Sequence, residues 1–297
     1  MPEAASTAFR QAQLLPLVER HMGMRVLRWS GSAPECEALV LLHGMGDGAD
    51  VWRATVARLR THSVGEVIAI ELPGHWGSDW QADGHYRLER MATQVATVIS
   101  TLSQRPISLA GHSLGGRLAA LLASRGAVDL AAVILIDLSP EPSDQGQNAV
   151  YDHIEALNEP PFLGARLSEI ATSRLPFCTP EAVTAYLQAA VEALPGGARR
   201  AVDPSVMEID VTLDDIPMDL WQLFEQIRCP VGILRGAYSS LLPAPVAHRA
   251  ALRVRQCCGY HTIPRAGHAI PLEQPAHLAD KIMQCLTEAQ SPKTALW

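Results

Sequence analysis

The chain has 297 residues, 48% of them hydrophobic and 19% charged, with 21 Gly and 21 Pro, a composition that supports a buried core and excludes disordered, collagen-like and coiled-coil classes. Its formal charge of -7, from 24 Lys and Arg against 31 Asp and Glu, offers no basic field for nucleic acid or anionic lipid. The longest strongly apolar runs, 131–136 and 118–123, are far shorter than the roughly 18 residues of a membrane span. The opening Met1-Pro2-Glu3 begins no basic-then-apolar leader, so the expected location is the cytoplasm.

In chain order, β-rich runs are predicted at 24–29, 38–42, 67–72, 107–110, 131–137, 231–235 and 259–263, and helical patterns at 51–60, 88–102, 114–124, 214–226, 244–253 and 275–288. This alternation predicts a mostly parallel sheet covered by helices. It is broken once. From Glu141 to about Ser205 the sequence carries only helical segments, near 148–157, 163–173 and 180–194, punctuated by Pro160-Pro161, Pro176, Pro195 and Gly196-Gly197. The expected organisation is therefore a core domain over 1–140 and 206–297 with a helical cap at 141–205, over the carboxyl ends of the strands where open α/β sheets bind ligands. The six cysteines (Cys36, Cys178, Cys229, Cys257, Cys258, Cys285) show no CxxC spacing, which predicts reduced thiols and no zinc site.

Gly111-His112-Ser113-Leu114-Gly115 fits G-x-S-x-G, and its context fits the chemistry of an activated serine. A β-run leads into it, and Gly116 and the helix-forming 118–123 follow. A strand-to-helix turn this sharp needs glycines where side chains would collide with sheet and helix, and it pushes the serine hydroxyl outward. The Leu114 N–H at the new helix start can then donate to an oxyanion.

Together with Leu41-Leu42-His43-Gly44-Met45-Gly46, Leu72-Pro73-Gly74-His75, and Gly267-His268 followed by Glu273-Gln274-Pro275, the elbow gives four motifs in one order. On these motifs the chain resembles the α/β-hydrolase superfamily over most of its length outside the cap. The resemblance implies a capped α/β-hydrolase fold, an esterase-like serine hydrolase needing no cofactor and no metal, and a second oxyanion N–H at Met45. His43, His75 and His112 read as loop-ordering or packing residues. A serine needs a base, and the fold's chain order puts that base on the loop after the last strand, at His268 rather than His261 or His277.

The acid departs from the family pattern. Relatives carry it on the loop after the penultimate strand, where this chain reads Arg235-Gly236-Ala237-Tyr238-Ser239-Ser240, and no Asp or Glu occurs between Glu225 and Glu273. Three readings are open: Asp137 at the end of the run 131–137, as in some haloalkane dehalogenases of the superfamily; an acid-less Ser–His dyad; or a carboxylate from elsewhere, such as Asp214 or Asp215. The expected activity is cleavage of an ester, thioester or lactone through an acyl-enzyme. Its rivals are a C–C hydrolase, lyase or cyclase using the same Ser–His apparatus, or a ligand-binding protein that has lost turnover. Apolar cap residues (Phe162, Leu163, Leu167, Phe177, Val183, Leu187) suggest a small-molecule acyl substrate with an apolar group.

Overall fold

The computed structural model describes residues 15–141, 148, 175–179, 182, 202–208 and 219–291. Eight strands form one sheet: β1 (Leu17–His21), β2 (Met24–Trp29), β3 (Ala38–Leu42), β4 (Val67–Ile70), β5 (Ile107–His112), β6 (Leu130–Ile136), β7 (Val231–Gly236) and β8 (Cys257–Ile263). Their spatial order is β1-β2-β4-β3-β5-β6-β7-β8. The pairs β1–β2 and β2–β4 are antiparallel, and from β4 to β8 every pair is parallel. Strands β3 to β7 are buried on both faces and read as continuous apolar runs rather than alternating ones.

Seven helices among the described residues cover the sheet: α1 (Arg53–Leu59), α2 (Leu88–Leu102), α3 (Leu114–Arg125), α4 (Leu220–Gln226), α5 (Ala244–Arg253), α6 (Ile270–Glu273) and α7 (Pro275–Gln290). α1 and α7 pack against each other, joined by Arg58 and His62 on Asp280, each at 2.8 Å. α3 packs on β5 and β6 and against α2 and α4, and α5 lies on β7 and β8. None of the described helices is long and apolar enough to cross a membrane. The six cysteines form no disulfide.

The structure adds β1, which the sequence reading omits. It is an edge strand with Leu17 and Val18 exposed, so it lacks a buried face to give it a pattern, and Met22 (φ 51°) and Gly23 (φ 79°) turn it into β2. The predicted helix at 51–60 begins as a 3-10 turn at Ala49–Trp52. Of the predicted helix at 214–226, the described part begins at Leu220, where Asp219 is extended and its carboxylate caps Gln222 N–H at 2.8 Å; residues 214–218 lie outside the described residues. The cap helices expected near 148–157, 163–173 and 180–194, and Asp214 and Asp215, lie outside the described residues apart from Asn148 and Ala182, which are helical. At the far end of that stretch Val202 bridges to His75, and the buried Asp203 accepts the Tyr86 hydroxyl at 2.8 Å.

Candidate active site

Ser113 directly follows β5 and Asp137 directly follows β6, neighbouring parallel strands. Both residues stand at positive φ, 51° and 47°, a conformation that costs a side-chain-bearing residue free energy and persists only where the surroundings impose it. Here the sheet imposes it: Ser113 N–H donates to Ile136 O at 3.0 Å and Asp137 N–H to Leu234 O at 2.8 Å, carrying the ladder one residue past each strand. At the elbow a Cβ on Gly111 would lie 2.2 Å from Gly115 O, and one on Gly115 2.5 Å from Leu42 O. Glycine is required at both positions by contact.

The structure brings Asp137 and His268 together. The imidazole Nδ1 lies 2.7 Å from Asp137 Oδ2. A carboxylate accepts, so Nδ1 carries the proton and Nε2 is left with its lone pair. Asp137 is fully buried, and each of its oxygens is held by donors, Oδ1 by Gly236 N–H at 3.0 Å and Oδ2 by the Ser239 hydroxyl at 2.5 Å as well as by His268. A buried carboxylate needs such partners to remain charged. Ser239 is itself held by Leu242 N–H at 3.3 Å, and Arg235 secures the same loop through Leu242 O at 3.0 Å.

This arrangement refines the reading of the β7 loop. Ser240, the residue aligned with the customary acid, is exposed, whereas its neighbour Ser239 is buried on the carboxylate. Sequence reasoning missed Ser239. The available signal was the loop itself, which lacks any acid and carries two serines.

His268 is positioned from three more directions. Ile270 N–H donates to its carbonyl at 2.9 Å, His112 Nε2 donates to the same oxygen at 2.8 Å, and the two rings pack at a 39° tilt with centroids 4.7 Å apart. His112, the residue before Ser113, thus ties the elbow to the His268 loop, and its Nδ1 lies 3.8 Å from Asp47 Oδ2. His261 sits in β8 and His277 in α7.

The loop after β3 presents Met45, half-buried, beside the elbow. Two buried histidines shape it. His43 accepts Leu72 N–H at 2.9 Å and bonds Gly44 O at 2.8 Å, while His75 accepts Gly46 N–H at 3.2 Å and bonds Pro73 O at 2.9 Å. Burial holds the His43 pKa well below the usual imidazole range and His75 down to about 4, so each stays neutral with one donor and one acceptor nitrogen, as its bonds require. Gly115 N–H donates to His43 O at 3.1 Å, tying this loop to the start of α3.

Beneath the same loop lies a buried ionic cluster. Arg25 Nη1 reaches Asp50 at 2.7 Å and Glu71 at 3.1 Å. The fully buried Glu71 also accepts Ala49 N–H at 3.1 Å and Gly77 N–H at 2.8 Å, joining the loops after β3 and β4. Burial pushes the Glu71 carboxyl up to about 7, against the pull of Arg25 and these amides. Among the described residues no cluster of His, Cys, Asp and Glu has the makings of a metal site.

The sequence matches the alpha/beta hydrolase family over residues 39–281. It is 27% identical over 287 residues to esterase Rv0045c of Mycobacterium tuberculosis (strain ATCC 25618 / H37Rv), covering 90% of this chain and 88% of that protein. Among solved structures it superposes on E-2-(acetamidomethylene)succinate hydrolase with a TM-score of 0.78 at 21% identity, covering 92% of this chain and 99% of that one. On a thioesterase domain from the curacin biosynthetic pathway the TM-score is 0.71 at 20% identity, covering 90% and 98%. The sheet order, the elbow and the family match agree, and the chain is an enzyme of the alpha/beta hydrolase family.

Proposed function

We propose that the protein is a serine hydrolase that cleaves a carboxylic ester, thioester or lactone through an acyl-enzyme. Ser113 attacks the carbonyl carbon. His268 Nε2 takes the hydroxyl proton and returns it to the leaving group, and Asp137 holds the imidazole in that tautomer and stabilises the imidazolium. The N–H groups of Met45 and Leu114 receive the oxyanion, where preorganised donors act most strongly because they need not reorient as charge develops. The acyl-enzyme is then released by water activated by the same histidine. No cofactor enters this sequence of steps.

The observation that carries the reading is the 2.7 Å bond from His268 to a buried Asp137 that two further donors hold. It supports the serine–histidine–aspartate assignment over a dyad, because a carboxylate already orients the imidazole. In this reading the apolar residues of 141–205 favour an acyl or alcohol group with an apolar part. Phe177 from that stretch lies with its ring 4.9 Å from that of Tyr238 on the β7 loop, which supports an apolar contact beside the site. The esterase relative supports an ester as the substrate class.

The test is Ser113→Ala, assayed on p-nitrophenyl esters and with a fluorophosphonate probe. Alanine adds no bulk at the elbow, so the fold persists while turnover falls on the order of 10³-fold or more and labelling disappears. A pure variant that keeps most of its activity removes Ser113 as nucleophile.

A further inference from the structure

A second buried carboxylate stands behind His268. Glu273 ends α6 and is 6% exposed, and its Oε2 accepts Gly267 N–H, the amide just before His268, at 2.6 Å. Gly267 is confined on its other side by β7: a Cβ on Gly236 would fall 1.9 Å from Gly267 O and 2.7 Å from Ala266 O. Gly236 in turn donates its N–H to Asp137. Gly267, Gly236, Asp137 and His268 therefore form a closed ring, completed by the Gly267–His268 bond, and Glu273 holds it at Gly267 through an ionisable group.

We propose that Glu273 is a positioning residue for His268. Its carboxylate clamps the Gly267–His268 backbone and places a second negative charge behind the imidazole, so that turnover falls when that charge is removed. The inference rests on His268 acting as the base. Proton transfer from Ser113 makes His268 an imidazolium, and a fixed anion in a water-poor site favours that charge at the moment it forms. Protonating Glu273 removes the charge and turns a charge-assisted hydrogen bond into a weaker neutral one.

The surroundings allow that protonation near neutrality. Burial pushes the Glu273 carboxyl up to about 7, with the negative Asp137 adding to the rise while the Gly267 amide and His268 oppose it. Cys178, which faces Glu273, is pushed up to about 12 by burial and by that carboxylate, and so stays a neutral thiol. The 3-10 turn packed on α6 carries Asp50, already taken up by Arg25 and Arg53. α1 and α7, also against α6, carry Arg53, Arg58, His277 and Asp280, and Arg58 and Asp280 pair with each other.

The experiment compares kcat of the wild type and Glu273→Gln on p-nitrophenyl acetate from about pH 5.5 to about pH 8.5. Glutamine keeps the length and the acceptor oxygen but never the charge, so it mimics protonated Glu273 at every pH. The ratio of wild type to variant is expected to rise from near one to about three- to tenfold with a midpoint near 7. A ratio that is large but constant with pH means a purely structural contact, and a ratio of one throughout means no role; either overturns the proposal. If the Gln variant does not fold, Glu273→Asp carries the test. Its shorter arm should lose more rate at high pH than at low, and an equal loss at both pH values overturns the idea. Running Ser113→Ala in parallel separates the two readings, since its inactivity together with a flat ratio sinks only the role of Glu273.

Discussion

Replacing Asp137 by asparagine tests the candidate acid through hydrogen-bond direction and charge, because size and shape are retained. In the native arrangement Oδ1 accepts from Gly236 N–H, and Oδ2 accepts from both Ser239 Oγ and His268 Nδ1. An amide offers one acceptor oxygen and one donor NH₂ group. If the NH₂ takes the Oδ1 place, it faces a backbone N–H that cannot turn away. If it takes the Oδ2 place, it faces an imidazole that can move its proton to the other nitrogen. The second orientation is favoured, and it leaves His268 protonated on Nε2, the nitrogen that must act as base. Forcing the productive tautomer back costs a buried donor–donor clash of about 1–3 kcal/mol, which lowers kcat by about 5- to 150-fold. Loss of imidazolium stabilisation adds to this, toward the ~10⁴ seen for the same exchange in serine proteases. The assay is kcat on p-nitrophenyl butyrate, with proton NMR of the imidazole N–H to report the tautomer. A loss below about fivefold, or roughly 1 kcal/mol, with the Nδ1 proton still in place, would refute the reasoning.

Three further outcomes follow from the same geometry. Gly236→Ala places a Cβ 1.9 Å from Gly267 O and 2.7 Å from Ala266 O; relieving this to an ordinary contact of about 3.3 Å displaces the His268 loop by more than about 1 Å, so kcat should fall on the order of 10²-fold, and a kcat within threefold of wild type in folded protein would contradict it. Exchanging the two groups, as Asp137→Ser with Ser239→Asp, should recover part of the rate lost in Asp137→Ser alone because the side chains touch, whereas Ser240→Asp should recover less from its exposed position; equal rescue by both would show that the loop does not have this geometry. The raised Glu71 carboxyl sets a stability slope: between about 4.5 and about 7 the folded state binds more protons than the unfolded chain, so unfolding free energy should decline as pH rises through that window, by about 1–3 kcal/mol, and Glu71→Gln should flatten the decline. Urea titrations at several pH values measure this, and an identical slope in the variant would remove Glu71 as its source.

The parallel strands were legible in the sequence because they are buried on both faces, and continuous apolar runs at 38–42, 67–70 and 131–136 have few other readings. The elbow was legible because its constraint is local. Gly111 and Gly115 must lack side chains for contacts that arise within a few residues or against one strand end, so the requirement is written in consecutive letters. The place of His268 was legible for a related reason, since chain order fixes which sheet-edge loop follows the last strand.

The carboxylate that meets His268 was less legible, for Asp137 was one of three open readings. Asp137, Ser239 and His268 meet across separations of 102 and 131 residues, and no local pattern records that β6 lies beside β7 and β7 beside β8. Only the sheet order brings three loops to one edge and turns an isolated aspartate into the partner of a histidine. The same holds for Glu273, whose significance depends on burial and on the neighbouring Asp137 rather than on its own motif, and for Glu71, an acid whose high pKa comes from complete enclosure. Sequence determines which groups are available and where strain is tolerated locally. Tertiary structure decides their charge and partners, because desolvation and hydrogen-bond geometry depend on atoms far away along the chain.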